Sequence, residues 1–467
     1  MRASLALLDV LAVGDLIRRR EVTATELLQA TLERLDRIEP ELHAFITVDR
    51  EGARQAAAAA DRELAAGTYR GPLHGVPVSV KDNFATKGLR TTSGSVVFAS
   101  WVPDHDAAVV ERLRAAGAVL LGKASMFELA SGWQVAPPFP PTLNPFDSER
   151  TPTGSSSGSA VAVATGLGQV SVGSDSGGSV RGPACYAGVV GLKPTYGLVS
   201  SYGLLPDGPS LAHVGTLTRT VADAAAVLAV LAGHDLRDPA SVAAEPGDLL
   251  AALEAGAAGL RIGVPWAYVR ADIDPRVEEA FELALTALTV RGARLVDLPL
   301  ATLEAGCAAW PALFYVELAR THAERYRARP QDFGAEVARR IQMGLATSAA
   351  DHAAATRLRD DLRAEILEAF RDVDIIATPT MPAGPPHLAT VARSTSAPAA
   401  LASVSRFLRP PNLTGIPALT LPCGRDRDGN PIGLQLAAAP FAEGVLLRAA
   451  RAYERARGPW SSIALER

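Results

Sequence analysis

The residues best suited to chemistry are serines and a lysine set among glycines. The run Ser174-Asp175-Ser176-Gly177-Gly178-Ser179 combines small residues with a terminal hydroxyl. Glycine lacks Cβ and tolerates positive φ, so such a turn can bring backbone N–H groups close to a substrate carbonyl. A serine ending it would combine nucleophile and oxyanion donors in one stretch. An ordinary polar turn accounts for the composition equally well, because Ser and Gly populate turns for reasons unrelated to catalysis. A nucleophilic hydroxyl also needs a base. No Gly-x-Ser-x-Gly elbow surrounds Ser179, and the eight histidines (43, 74, 105, 213, 234, 322, 352 and 387) offer no supporting spacing. Lysine is then the candidate base. Its pKa of ~10.4 must fall by roughly three units to leave it neutral near pH 7, worth about 4 kcal/mol, which burial can supply. Lys81 follows the apolar run Val76-Pro77-Val78-Ser79-Val80 and suits that role; a solvated surface lysine is the alternative.

Several elements must position these groups. Thr23-Ala24-Thr25-Glu26 fits a capping box, and Leu27, Leu28, Leu32, Leu35 and Ile38 fall on one helical face before Pro40. The alanine-rich stretch 51–66 predicts a second helix, and 76–80 a strand that ends at Lys81. Residues 106–116 predict a helix stopped by Gly117, and 118–121 a short strand broken by Gly122. From Pro137 to Ser159 the chain turns rich in Pro, Ser, Thr and Gly, which reads as a functional loop; its Pro137-Pro138-Phe139-Pro140-Pro141 run could wall a substrate entrance or equally be a rigid surface loop. A helix near 159–167 and a strand at 169–173 then lead into the Ser179 turn. The region 235–372 alternates strands (261–265, 293–298) with helices (275–290, 352–370) and carries no catalytic motif, so substrate contacts could hide there. Further strands are expected at 374–377 and 418–421, and a closing amphipathic helix at 441–457. Helix and strand in alternation predict an α/β protein.

Composition narrows the function. The 467 residues are 48% hydrophobic and 21% charged with a net charge of −4, and Lys and Arg are scattered. That profile fits a soluble globular protein and gives no electrostatic footprint for nucleic acid or an anionic membrane. No apolar run approaches the roughly 18 residues of a membrane span, and the acidic Asp9 and Asp15 argue against an export signal, so a cytoplasmic location is expected. Cys185, Cys307 and Cys423 are too few and too far apart for a disulfide framework or a zinc site, and no His-x-x-x-His pair occurs. Neither metal nor cofactor is expected.

Taken together, the motifs resemble those of the amidase signature family. They comprise Gly71-Pro72-Leu73-His74-Gly75-Val76-Pro77 with Lys81-Asp82-Asn83, Gly122-Lys123 with Glu128, and Gly154-Ser155-Ser156-Ser157-Gly158-Ser159. They continue through Gly173 to Arg181, Gly191-Leu192-Lys193-Pro194-Thr195-Tyr196-Gly197, Asn412 with Gly415-Ile416-Pro417-Ala418, and Pro431-Ile432-Gly433-Leu434-Gln435. The resemblance spans most of the chain and leaves the middle weakly marked. It implies a single domain over 1–467 whose central mixed β-sheet is covered by helices on both faces. Within it lie N-terminal helices (1–66), a signature core (71–232), the middle region (235–372) and a C-terminal part that completes the sheet (373–467).

The resemblance further implies that Ser179 is the nucleophile, Ser155 a bridging serine in a cis peptide, and Lys81 the base of the proton relay. The backbone N–H groups of Ser176, Gly177, Gly178 and Ser179 would hold the oxyanion. Asp175 and Arg181 would brace the turn, and Phe127 and Gln134 would line the substrate pocket. Departures are small: Thr153 and Ser157 replace glycines, Ser174 and Ser176 stand where threonine is common, Ala212 precedes His213 where an acid is frequent, and Thr216 stands where many members have proline. His213 reads as structural. The implied reaction is cleavage of a carboxamide to a carboxylate and ammonia or an amine. A stand-alone amidase acting on small molecules, as a monomer or homodimer without nucleic acid, is favoured because Met126-Phe127-Glu128-Leu129-Ala130 departs from the Met-Asp-Glu-Phe-Ala-like run common in glutaminase subunits of tRNA-dependent amidotransferases. Such a glutaminase is the second reading. A catalytically dead binding protein is the third, opposed by the intact Lys81, Ser155 and Ser179.

Overall fold

The computed structural model describes residues 5–131, 139–205, 208–394 and 404–460. Among these residues eleven strands form one mixed sheet: β1 (Phe45–Val48), β2 (Pro77–Lys81), β3 (Val119–Ala124), β4 (Val170–Asp175), β5 (Val190–Lys193), β6 (His213–Thr218), β7 (Arg261–Val264), β8 (Arg294–Asp297), β9 (Ile375–Pro379), β10 (Ala418–Arg425) and β11 (Pro431–Ala437). Their spatial order is β1-β3-β2-β4-β6-β5-β10-β11-β9-β7-β8. β2 runs parallel to both β3 and β4, while β4 pairs antiparallel with β6 and β10 with β11.

Alternation along the strands feeds two layers of helices. On β6, Val214 joins the cluster packed under the Val221–Leu231 helix, whereas Leu217 joins a cluster with Ala160 and Ala164 of the Ser157–Ala164 helix. On β10, Leu419 and Leu421 face the first of these clusters, while Ala418 faces Trp310 and Leu313 of a long helix, Leu303–Ala328. The sheet is thus covered on both faces, as an α/β protein with strands this apolar requires.

The parallel pairing of β2 with β4 matters most for the site. Val80 lies opposite Val172, so the carboxyl ends of both strands emerge at one edge of the sheet. Lys81 ends β2, and the Ser176–Ser179 turn follows β4. Ligand sites of α/β sheets form at such strand ends.

Two local expectations change. The first long helix runs Ala24–Leu42 and carries Pro40 inside it. Pro40 falls in the last turn, where the amide it lacks costs one hydrogen bond, and the helix stops at His43 in the left-handed region (φ 52°). Gly122 does not break β3. It pairs with Val48 of β1, and a Cβ there would stand 2.1 Å from the Thr47 carbonyl oxygen, so glycine is what lets β1 approach. The capping box forms as expected: Thr23 Oγ accepts from Glu26 N–H, and Glu26 accepts from Thr23 N–H, each at 3.0 Å.

Glu39 closes the end of that helix by accepting from the N–H groups of Ala44 and Phe45 at 3.0 and 2.8 Å. Burial pushes its pKa up to about 7 despite these bonds. A carboxyl raised in the folded state holds its proton more tightly than in the unfolded chain, so its contribution to stability is fully present below about pH 4.5 and lost as pH rises through 7. Glu39→Gln keeps an acceptor but cannot ionise. Urea denaturation from pH 4.5 to 8 should show the wild type losing stability relative to this variant by at most about 3 kcal/mol; a pH-independent difference would contradict the assignment.

Candidate active site

Lys81 is completely buried at the end of β2. Its Nζ lies 2.6 Å from Ser155 Oγ, 2.8 Å from Ser174 Oγ and 3.3 Å from the Ser174 carbonyl oxygen. Ser174 Oγ also accepts from Asn83 Nδ2 at 2.9 Å. The Gly154–Ser155 peptide is cis. The next residues enter the Ser157–Ala164 helix, whose start is tied to its surroundings by Gly158 N–H donating to the Ser125 carbonyl. Ser156 N–H donates to the Ser179 carbonyl at 3.1 Å, which couples the two Ser/Gly turns directly.

The turn after β4 is held by Asp175 and Arg181, both fully buried. Asp175 Oδ1 accepts from Gly178 N–H at 2.7 Å, and Oδ2 accepts from Val180 N–H at 3.1 Å. Arg181 closes the ring with Nε 3.1 Å from Oδ2 and Nη2 3.0 Å from Oδ1. Burial alone would push the Asp175 carboxyl up, but the Arg181 charge and hydrogen bonds outweigh it and hold it well below the usual carboxylate range. These two residues therefore brace the turn. They also correct one expectation: the Gly178 N–H is consumed by Asp175 and leaves the expected oxyanion set. Gly178 and Gly177 have no room for side chains, since a Cβ would meet Leu408 at 2.4 Å and Trp310 at 2.8 Å respectively.

Ser155, Ser176, Gly177, Gly178 and Ser179 line one cavity of about 240 Å³. Phe127 lines it too and packs so closely over Gly154 that a Cβ there would lie 2.5 Å from the ring. Gln134 lies outside the described residues, as do 137 and 138 of the proline run. Phe139, Pro140 and Pro141 do not line the cavity; Pro141 instead packs beside the end of the first long helix, its carbonyl 3.2 Å from His43 Nδ1. His213 is buried on β6 behind the turn, 3.5 Å from Asn412 Nδ2, and burial, aided by the nearby Lys193 charge, holds its pKa well below the usual value. It is a neutral structural ring.

The opposite wall comes from the unmarked middle region and the segment after 403. Trp310, Phe314 and Tyr315 project from the Leu303–Ala328 helix, and Arg339, Arg340 and Met343 from the Ala335–Ala346 helix. Leu408 and Arg409 complete it. Trp310 Nε1 donates to the Ser176 carbonyl at 2.8 Å, so this wall is fastened to the turn itself. Sequence reading misses both helices, because the first is apolar around much of its circumference and holds Pro311. The run Trp310-Pro311-Ala312-Leu313-Phe314-Tyr315 is the signal that could have found it, a dense aromatic cluster in an otherwise aromatic-poor chain.

A buried lysine bonded to a serine after a cis peptide, with that serine and one on a glycine turn lining a single cavity at strand ends, is the arrangement that the amidase signature motifs imply. The family model for amidases matches residues 26–447, and the chain belongs to that family. A glutamyl-tRNA(Gln) amidotransferase subunit of Anaeromyxobacter dehalogenans (strain 2CP-C) is 42% identical, covering 96% of this chain and 95% of its own. Among solved structures, the corresponding subunit from Thermotoga maritima is 33% identical, covers 98% and 97% of the two chains and superposes with a TM-score of 0.82. A chain from a vestigial protein complex tied to the origins of an s-triazine catabolic enzyme is 33% identical over 95% of this chain and 98% of its own, with a TM-score of 0.88. The relatives correct one reading. The scattered charge and the Met126–Ala130 run point to a small-molecule amidase with no nucleic acid among its partners, yet the relatives at this identity are subunits of enzymes named for a charged tRNA. Among the described residues, no helix is long and apolar enough to cross a membrane.

Removing the charge of Asp175 should expose how much rests on it. Asp175→Asn leaves Arg181 buried without its counter-ion and should cost about 3–5 kcal/mol by urea denaturation, part of which Asp175→Asn with Arg181→Met should restore. A single variant within about 1 kcal/mol of wild type would contradict the bracing role.

Proposed function

We propose that the protein cleaves carboxamides through a Ser179 acyl-enzyme and serves as the glutaminase subunit of a tRNA-dependent amidotransferase. The observation that carries the chemistry is the 2.6 Å contact between Lys81 Nζ and Ser155 Oγ beside the cavity that Ser155 and Ser179 share. The assignment to an amidotransferase rests on relatives 42% and 40% identical over nearly their whole length.

In this reading neutral Lys81 accepts the Ser155 proton while Ser155 accepts the proton of Ser179, whose Oγ bonds to the amide carbon. Negative charge develops on the carbonyl oxygen, for which the N–H groups of Ser176, Gly177 and Ser179 are the donors. As the C–N bond breaks, the relay runs backward and the proton passes to the leaving nitrogen, releasing ammonia from glutamine. Water then enters the same position, loses a proton to the relay and bonds to the acyl carbon; the bond to Ser179 Oγ breaks, the relay returns the proton to that oxygen, and the carboxylate leaves. Asp175 and Arg181 keep the turn rigid and exchange no proton.

Ammonia release from glutamine, measured on the protein alone and with amidotransferase partner subunits and glutamyl-tRNA, tests the reading. Ser179→Ala should lower release by about 10⁴-fold or more. Activity that survives this substitution contradicts the nucleophile, and ammonia from other amides but never from glutamine contradicts the glutaminase assignment. Lys81→Met should lower turnover comparably while the protein still unfolds cooperatively; unchanged turnover across pH would mean that another base acts.

A further inference from the structure

A buried carboxylate stands between the floor of the catalytic cavity and its far wall. Glu128 follows β3 and is 2% exposed, and the proton relay does not use it. Its Oε1 accepts from Ser95 Oγ at 2.8 Å and from Gly334 N–H at 3.2 Å, and its Oε2 accepts from the same Gly334 N–H at 3.0 Å. Burial pushes its pKa up, and the bonds from Ser95 and Gly334 pull it back. A carboxylate is costly to bury unless donors answer it in this way.

Its neighbours belong to both parts of the site. On the floor side, Phe127 and Ala130 line the cavity, and Phe127 N–H donates to the Ser155 carbonyl at 3.1 Å. Leu129 and Ala130 have φ of 46° and 50°, a left-handed conformation that two successive non-glycine residues keep only where their surroundings enforce it. On the wall side, Gly334 is the N-cap of the Ala335–Ala346 helix, which carries Arg339, Arg340 and Met343 to the cavity. The carboxylate therefore sits at the positive end of that helix. Arg340 Nη1 donates to the Ser131 carbonyl, and Gly344, where a Cβ would collide with the Tyr315 carbonyl, keeps the helix close against Leu303–Ala328. The wall is thus fastened to the floor by Trp310 from one helix and by Gly334 and Arg340 from the other.

We propose that Glu128 is a positioning residue for substrate binding: by fastening Gly334 to the strained turn beside Ser155, it sets how the Ala335–Ala346 helix stands over the cavity and so governs KM rather than the chemical step. This rests on the amide-cleaving reading above and adds a residue to it. Glu128 does not itself line the cavity, so it acts through the helix it holds.

Two substitutions break the same contact from opposite sides. Glu128→Ala removes the acceptor, and Gly334→Pro removes only the donor, since the φ of −59° at Gly334 already suits a proline ring. Each should raise KM for glutamine by about 10- to 100-fold, the range for a hydrogen bond to a charged group, and leave kcat within about two-fold. The double variant should lose no more than either single one, because both remove one interaction. Labelling of Ser179 by a small fluorophosphonate, which needs the nucleophile and the relay but not the wall, should keep its wild-type rate throughout. Amide hydrogen exchange should quicken in the Ala335–Ala346 helix and hold in the Val221–Leu231 helix. Labelling that slows along with binding makes Glu128 a support of the floor and overturns the proposal. A wild-type KM or unchanged exchange in Gly334→Pro overturns it too, even if Glu128→Ala fails to fold, and leaves amide cleavage standing. No ammonia from glutamine with the wild type overturns the glutaminase reading and the claim on KM together.

Discussion

The Asp175–Arg181 ion pair is the interaction on which the rest of the site depends. Both side chains are fully buried, so the pair survives only because nearly every donor and acceptor is answered. Arg181 reaches Gln435 Oε1 at 2.7 Å, the Leu408 carbonyl at 2.8 Å and Asn412 Oδ1 at 2.7 Å, and Asn412 Nδ2 returns to the Asp175 carbonyl at 2.7 Å. One guanidinium thus ties the Ser176–Ser179 turn to β11 and to the helix that begins at Arg409. Residues as far apart in sequence as Asp175 and Asn412 must fold together before Ser179 has its geometry. The placement of Ser179 is a long-range property.

This constraint explains which features are legible in the sequence. Local signals hold: the Thr23 capping box forms, β2 ends at Lys81, and the strands of the middle region fall close to expectation. The pairing of Lys81 with Ser155 comes through motif resemblance, because spacing alone leaves a glycine turn and a surface lysine equally plausible. What stays hidden depends on contacts across the chain. The glycine turn predicts positive φ, but nothing local says that the Gly178 amide goes to Asp175. Arg409 follows Leu408 in a segment with no catalytic pattern, and only the fold sets it against Trp310. The partner expectation fails for a different reason. Net charge reports the field of this chain alone and says nothing of what its relatives assemble with.

The cavity also divides its labour by origin. Its floor comes from strand ends and Ser/Gly turns, where absent side chains let backbone approach substrate; added Cβ atoms at Gly154, Gly177 and Gly178 would each collide with a neighbour at 2.8 Å or less. Its far wall comes from the Leu303–Ala328 and Ala335–Ala346 helices and the Leu408–Arg409 segment, rich in aromatic and guanidinium groups. The floor tolerates little change because its turns are fixed by hydrogen bonds to backbone. The wall presents side-chain ends, which can be exchanged without moving the turn.

Trp310 is where the two parts meet, and it sets a limit on that freedom. Its Nε1–H is committed to the Ser176 carbonyl, its ring stacks on Phe314 at 4.6 Å and carries Arg409 at 5.0 Å, and its edge fills the space denied to Gly177. An indole satisfies all of these at once because it combines one directional donor with a large flat face. Smaller rings would free the Ser176 carbonyl or leave the guanidinium unsupported. The Arg409 guanidinium and the Ser176 carbonyl are therefore joined through a single side chain. Substitutions that move Trp310 also move the turn, and Tyr315, edge-on to the same indole at 6.1 Å, shares that limit, whereas Met343 stands on the neighbouring helix.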